Sequence, residues 1–147
     1  MNLFFDTSTL VKYYLSEIGS DSVEKLIIEP THQIWLSELV KTEFYSALFR
    51  RLRTRELTDT QVQSAIAGFE ISIQQFHIQP INSLVLRETE LFLKTQGKNY
   101  PIRTLDALHF CTFQLLADTD WAFVTADTPF ANFVSQLGYE VINPMVF

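Results

Sequence analysis

The stretch Asn2-Leu3-Phe4-Phe5-Asp6-Thr7-Ser8 opens the chain and decides its architecture. Its apolar run is too short for a helix and reads as an opening strand. A carboxylate, Asp6, closes that strand, and the residues from Thr7 onward begin a helix expected to run to about Leu15. Open parallel sheets bind ligands outside the carboxyl ends of their strands, so an acid at this place is a candidate for chemistry. Asp also caps helices well, so Asp6 alone leaves both roles open. Three further acids are candidates to join it in space: Glu43, Asp106 and Asp127.

Downstream, Gly19 breaks the first helix and Ser20 is positioned to cap a short second one, in which Val23, Leu26 and Ile27 recur at helical spacing. Gln33-Ile34-Trp35-Leu36 reads as the second strand. Ser37 is then the expected cap of a helix from about Glu38 to Thr54, with Leu39, Val40, Phe44, Ala47, Leu48 and Leu52 as its apolar stripe. Glu43 falls inside that stripe. Glu is rarely buried without a partner, which implies a cation, either a side chain or a metal, unless the helix is turned so that Glu43 reaches water at its edge. The helix closes on Arg50, Arg51, Arg53 and Arg55. Cations suit a helix C-terminus, and such a cluster also suits a rim that contacts phosphate.

Thr58-Asp59-Thr60-Gln61 matches a capping box and opens the next helix, to about Gln75. His77-Ile78-Gln79-Pro80 reads as a third strand, placed at an edge by its proline. Ser83 is the expected cap of a helix through Lys94. In Arg103-Thr104-Leu105-Asp106-Ala107-Leu108-His109, Thr104 is the expected cap, which puts Asp106 in the first turn, where the helix dipole favours an acid. Asp106 also shares a face with His109, Phe110 and Phe113, which points it inward. Trp121 to Thr125 forms a fourth strand, with Asp127 directly after it. Thr128 is the expected cap, with Pro129 at the first helical position, of a helix that Gly138 ends, and Glu140-Val141-Ile142 is a short last strand. Strands alternating with helices specify an α/β domain with a mainly parallel sheet.

With 147 residues, 47% of them hydrophobic and thirteen of them Phe, the chain is expected to fold as one domain, 1–147, around an aromatic core. The net charge of −6 argues against a protein that coats nucleic acid through broad basic patches, yet is compatible with a nuclease whose acids hold a metal. Cys111 is the one cysteine, which excludes an internal disulfide and fits a reducing compartment. In its apolar helix it reads as a buried, inert thiol. The start of the chain resembles no signal peptide, and no apolar stretch approaches the ~20 residues that span a bilayer. A soluble, cytoplasmic protein is expected.

Four carboxylates brought to one end of such a sheet raise one another's pKa and need compensation. A hard divalent cation such as Mg²⁺, which prefers oxygen ligands, is the natural one. His32, His77 and His109 are scattered and give no zinc spacing. With four glycines in all there is no phosphate loop, and no nucleophile elbow is present.

Taken together, Phe4-Phe5-Asp6-Thr7-Ser8 with Leu10-Val11-Lys12-Tyr13, the stretch from Ser37 to Glu43, Arg103 to His109, and Val124-Thr125-Ala126-Asp127 resemble the PIN-domain family, in particular its VapC-like toxin ribonucleases. The resemblance covers essentially the whole chain. It implies a three-layer α/β/α domain with strand order 3-2-1-4-5. It also implies Mg²⁺- or Mn²⁺-dependent endonucleolytic cleavage of RNA by metal-activated water, as the toxin of a type II toxin–antitoxin pair. The family's metal-binding acids carry over to Asp6 and Asp106, then to Glu43 and Asp127. Thr7 or Ser8 and Thr125 are its supporting hydroxyls. Arg103, or the cluster Arg50, Arg51, Arg53 and Arg55, would position RNA; Arg103 could equally pair with Asp106 as a structural contact. A small antitoxin partner and a homodimer are further expectations. Two other readings compete: a catalytically silent PIN-like binding module, and a receiver-like Mg²⁺-binding regulatory domain. The second needs a paired acid at the first strand end and an Asp at a middle one. Here Thr7 follows Asp6, and the second and third strands end at Leu36 and Pro80.

Overall fold

The computed structural model describes residues 1–146; Phe147, the last residue of the expected domain, lies outside them. Five strands, β1 (Asn2–Phe5), β2 (Gln33–Ser37), β3 (His77–Gln79), β4 (Trp121–Val124) and β5 (Val141–Ile142), form a parallel sheet in the order β3-β2-β1-β4-β5. Between them run α1 (Thr7–Tyr14), α2 (Ser20–Ile28), α3 (Leu39–Arg53), α4 (Asp59–Ser72), α5 (Ser83–Gln96), α6 (Thr104–Leu116) and α7 (Thr128–Gln136). The strand order and the helical layers are those the resemblance implies.

Side chains alternate across a strand, and here both faces are covered. Leu3 and Phe5 of β1, Ile34 and Leu36 of β2, and Ala122 and Val124 of β4 meet α1 to α4 on one face. Phe4, Trp121 and Phe123 meet α5 to α7 on the other. β1 lies central, with Leu3 between Ile34 and Ala122 and Phe5 between Leu36 and Val124. That is why the opening run is uniformly apolar instead of alternating. β3 is an edge strand, as Pro80 indicates. Cys111 is buried, and burial pushes its thiol up to about 11. Among the described residues no helix is long and apolar enough to cross a membrane.

Several helix starts fall one residue away from the hydroxyls that mark them in sequence. Ser37 stays extended as the last residue of β2, in register with Gln79, and Glu38 takes the cap position; the Ser37 hydroxyl still accepts the Leu39 N–H at 3.2 Å. Asn82 displaces Ser83 as cap because its side chain, from an extended backbone, accepts the Val85 N–H at 3.0 Å. Arg103 occupies the cap position of α6 without a side-chain cap bond, so Thr104 is already helical. Gly19, at φ 91, precedes α2, and the Ser20 hydroxyl closes the α1–α2 turn instead of capping. Asp127, not Thr128, caps α7. The capping box at Thr58 and Gln61 forms as expected.

The second core is built from phenylalanines. Phe4, Phe110, Phe113, Phe123 and Phe130 are essentially inaccessible to solvent. Phe110 meets Phe123 edge-to-face at 5.8 Å and Phe130 at 6.3 Å, geometries that add to the burial itself. This core backs the first turns of α6 and α7. Phe110→Ala should therefore cost about 3–5 kcal/mol, read as a lower urea midpoint with an unchanged slope. A midpoint near the parent's would show that the aromatic cluster is not what holds α6 to the sheet.

Candidate active site

From β1 the chain steps outward to β2 and β3, then crosses to β4 on the other side of β1. The connections at the carboxyl edge therefore part between β1 and β4, the switch point where such sheets leave a crevice. A cleft of about 690 Å³ opens there, and Asp6, Glu43, Asp106 and Asp127 all line it.

Asp6 is 4% exposed and is held by three donors. Its Oδ1 accepts the Ser8 hydroxyl at 2.8 Å and the Thr9 N–H at 2.9 Å. Its Oδ2 accepts the Thr125 hydroxyl at 2.5 Å. The Thr125 oxygen in turn accepts the Asp127 N–H at 3.2 Å. Asp127 caps α7 through Oδ1, which accepts the Phe130 N–H at 3.1 Å, and turns Oδ2 toward Arg103 Nη2 at 3.6 Å. Arg103 Nε donates to Asp106 Oδ2 at 2.9 Å. Asp6 and Asp127 are thus helix caps and cleft residues at once.

The charges are close enough to act on one another. Burial pushes the Asp106 carboxyl up, Arg103 pulls it down, and the neighbouring Asp6 and Asp127 push it up again; it ends above the ordinary range. Among the described residues no three His, Cys, Asp or Glu side chains stand as a ready-made group able to hold a metal ion. The guanidinium of Arg103, 74% exposed in its side chain, spans two of the acids instead. The donor set still suits an oxygen-seeking divalent cation: it consists of carboxylates and hydroxyls, and it leaves Asp106 electrostatically under-compensated.

Glu43 is treated differently. It projects from the α3 stripe at the edge of the cleft, 20% exposed, and is paired with a side chain from another helix. Its Oε1 accepts both the His109 Nε2–H and, at 2.8 Å, the Thr7 hydroxyl. Burial would raise this carboxyl, but the His109 hydrogen bond and charge and the Thr7 hydroxyl outweigh it, and Glu43 is held below the ordinary range. Oε2 has no protein partner among the described residues. The buried His109 ring has its Nδ1 without one.

His109 is the residue that sequence reasoning missed. The signals were present separately: Glu43 in an apolar stripe implied a cation, and His109 shares a helix face with Asp106. Joining them required the packing of α3 against α6. Of the arginine cluster, Arg50 and Arg51 line the cleft and Arg53 and Arg55 do not. Arg55 adopts a left-handed φ of 63 just beyond α3, a helix-ending position.

An open doubly wound α/β domain that gathers acids at the switch point of its carboxyl edge is the class these features define. A family model for the PIN domain matches residues 3–134, and the chain belongs to that family. Among solved structures it is similar in fold to VapC20 of Mycobacterium tuberculosis, a sarcin-ricin loop cleaving toxin: TM-score 0.72, 16% identity, 97% of this chain and 99% of that one. DNA-bound VapBC from Salmonella typhimurium gives 0.69 at 12% identity, covering 98% of each chain. FitAcB from Neisseria gonorrhoeae gives 0.66 at 19% identity, covering 99% of each. No curated protein sequence matches the chain.

Asp106 and Glu43 lie on opposite sides of the ordinary carboxylate range, and pH separates them. The folded-state pKa of Asp106 is raised, so its protonated form favours the fold and that contribution is lost as pH rises through the raised value. That of Glu43 is depressed, so its contribution is present above the unfolded value and lost as pH falls through the depressed one. Urea titrations in EDTA from about pH 3 to about pH 7 should show Asp106→Asn gaining on the parent as pH rises. Glu43→Gln should show a deficit against the parent that shrinks on acidification. Parallel profiles for all three proteins would contradict this electrostatic arrangement.

Proposed function

We propose that this chain is a metal-dependent endoribonuclease of the VapC-like kind, acting as the toxin of a toxin–antitoxin pair. The observation that carries this reading is the meeting of Asp6, Glu43, Asp106 and Asp127 on one cleft at the switch point of a PIN-family sheet. The names of similar structures, which include a ribosomal-loop-cleaving toxin and toxin–antitoxin complexes, support it.

Asp6 and Asp106 would hold Mg²⁺ or Mn²⁺, with Asp127 Oδ2 and Glu43 Oε2 beside them. A cation held there supplies charge neutralisation at the phosphate and a water activated for in-line attack. The chain's own groups do the rest. Thr125 and Ser8 fix the two oxygens of Asp6. Thr7 and His109 fix Oε1 of Glu43 and leave Oε2 to the cleft. Arg103 neutralises Asp106 and Asp127 until substrate and metal arrive, and its exposed guanidinium is then available to a phosphate. A small antitoxin would silence such a site by bringing a cation of its own to Asp6 and Asp106. The chain would work as a homodimer in the cytoplasm.

Replacing Asp6 or Asp106 by Asn separates capping from metal binding, because Asn and Asp cap helices comparably. In EDTA Asp106→Asn should melt at or above the parent's temperature, since repulsion among the acids is relieved, whereas Asp6→Asn gives up the acceptor for the buried Thr125 hydroxyl and should melt below it. In Mg²⁺ the parent should gain thermal stability by binding to its native state, and the variants much less. Single-turnover RNA cleavage should fall by orders of magnitude in both. Near-parental cleavage with an unchanged Mg²⁺ shift would refute the nuclease reading.

A further inference from the structure

The cleft has two ends of opposite sign. The acid end holds Asp6, Asp106, Asp127 and Glu43. The far wall is formed by Lys12, Arg50 and Arg51 around one carboxylate, Glu17. Lys12 comes from α1 and Arg51 from α3, and they meet on different oxygens of Glu17: Lys12 Nζ at 3.1 Å from Oε1, Arg51 Nη1 at 2.8 Å from Oε2. Lys12 Nζ also donates to the Ile18 carbonyl at 2.8 Å. Glu17 itself is fixed, because the Ser20 hydroxyl accepts its N–H at 2.9 Å and donates to the Leu15 carbonyl at 2.6 Å. The α1–α2 turn therefore holds a counter-ion over the cleft.

A helix C-terminus explains arginines at the end of α3 and Lys12 in the last turn of α1, but it does not explain why Lys12 and Arg51 meet on one carboxylate. Nor does it explain why Arg50 and Arg51 face the cleft while Arg53 and Arg55 lie outside it. Cations outnumber carboxylates on this wall in a chain of net charge −6. Arg50 has no ion-pair partner among the described residues, and Arg51, paired through Nη1 with Glu17 and at 3.9 Å through Nε with the exposed Glu56, still has its Nη2 donors left over. A strand cut at the acid end has to continue past it, and the next surface it meets in the same cleft is this basic wall.

We propose that Arg50 and Arg51, backed by Lys12 and with Glu17 as the counter-ion that Lys12 and Arg51 share, form a subsite for an RNA backbone phosphate flanking the one that is cut. The proposal rests on the nuclease reading of the acid end and adds the direction in which the strand runs: away from Asp6 and Asp106, along α1 and the last turns of α3.

The test is equilibrium binding of a short single-stranded RNA in EDTA, followed by fluorescence anisotropy over a salt series. Arg50→Gln and Arg51→Gln should each weaken binding and lower the slope of log affinity against log salt by about 0.7, the loss of one phosphate contact on a single strand. Arg51→Lys should keep the parent's slope, and so should Arg53→Gln, on the same helix but outside the cleft. Slopes for Arg50→Gln and Arg51→Gln equal to the parent's would overturn the subsite. An equal drop for Arg53→Gln, or no RNA binding by the parent, would also overturn it. Arginine-dependent binding of a polyglutamate peptide in place of RNA would overturn it in favour of a protein partner. Cleavage of the same RNA by the parent in Mg²⁺ reports on the acid end separately. Arginine-dependent slopes without cleavage would keep the subsite and refute the nuclease, and cleavage with unchanged slopes would do the reverse.

Discussion

A carboxylate buried to 4% exposure survives only if its oxygens are satisfied, and Asp6 is the point at which the fold meets that demand. Its donors come from the first turn of α1 and from the residue after β4. Satisfying one side chain therefore ties the central strand, the first helix and the strand across the switch point into a fixed relation. Thr9 reinforces the same junction by donating its hydroxyl to the Val124 carbonyl at 3.0 Å. The sheet edge is tied together where chemistry would occur because the acid there has to be hydrogen-bonded through both oxygens to be there at all.

The remaining charges are compensated in two unlike ways, and the difference has consequences. Glu43 is paired inside the protein with a nearly inaccessible His109, an arrangement no solute can displace without moving α6 against α3. Asp106 and Asp127 share an exposed arginine on a flexible stem, a contact that water and salt weaken. One acid is thus permanently oriented with a single free oxygen. The other two are neutralised only loosely, which leaves them ready to exchange Arg103 for a stronger cation.

Much of this could be read from local sequence. The apolar run ending in Asp6 and the one ending just before Asp127 announce parallel strands with acids at their carboxyl ends, because strand burial and end position are both local properties. The exact caps were less legible. Ser37, Ser83 and Thr104 are good capping residues, but pairing with Gln79 keeps Ser37 in its strand, Asn82 reaches the Val85 N–H first, and the extended backbone at Arg103 starts α6 one residue early. Of the partners of the acids, Arg103 with Asp106 was legible from its i,i+3 spacing, and the structure forms that pair; the partners from other helices were not. His109 with Glu43, and Lys12 and Arg51 with Glu17, join helices that no spacing relates, and they exist only once the sheet has set α1, α3 and α6 around one crevice.

Capping and chemistry look like rival explanations for an acid after a strand, and at this edge they are the same explanation. Four of the five strands that end here, β1 to β4, hand the chain to a helix whose first N–H groups need acceptors. An Asp placed to accept them is carried to the mouth of the switch-point crevice by that very geometry. One oxygen of Asp127 is spent on Phe130, and the other faces Arg103. Asp6 divides its oxygens in the same way, between its own helix and Thr125. The helix N-termini also place partial positive charge behind the acids, which lowers the cost of gathering them. A fold that needs carboxylates for its caps thus concentrates negative charge at one spot, and that concentration is the property a divalent cation and a phosphate strand would use.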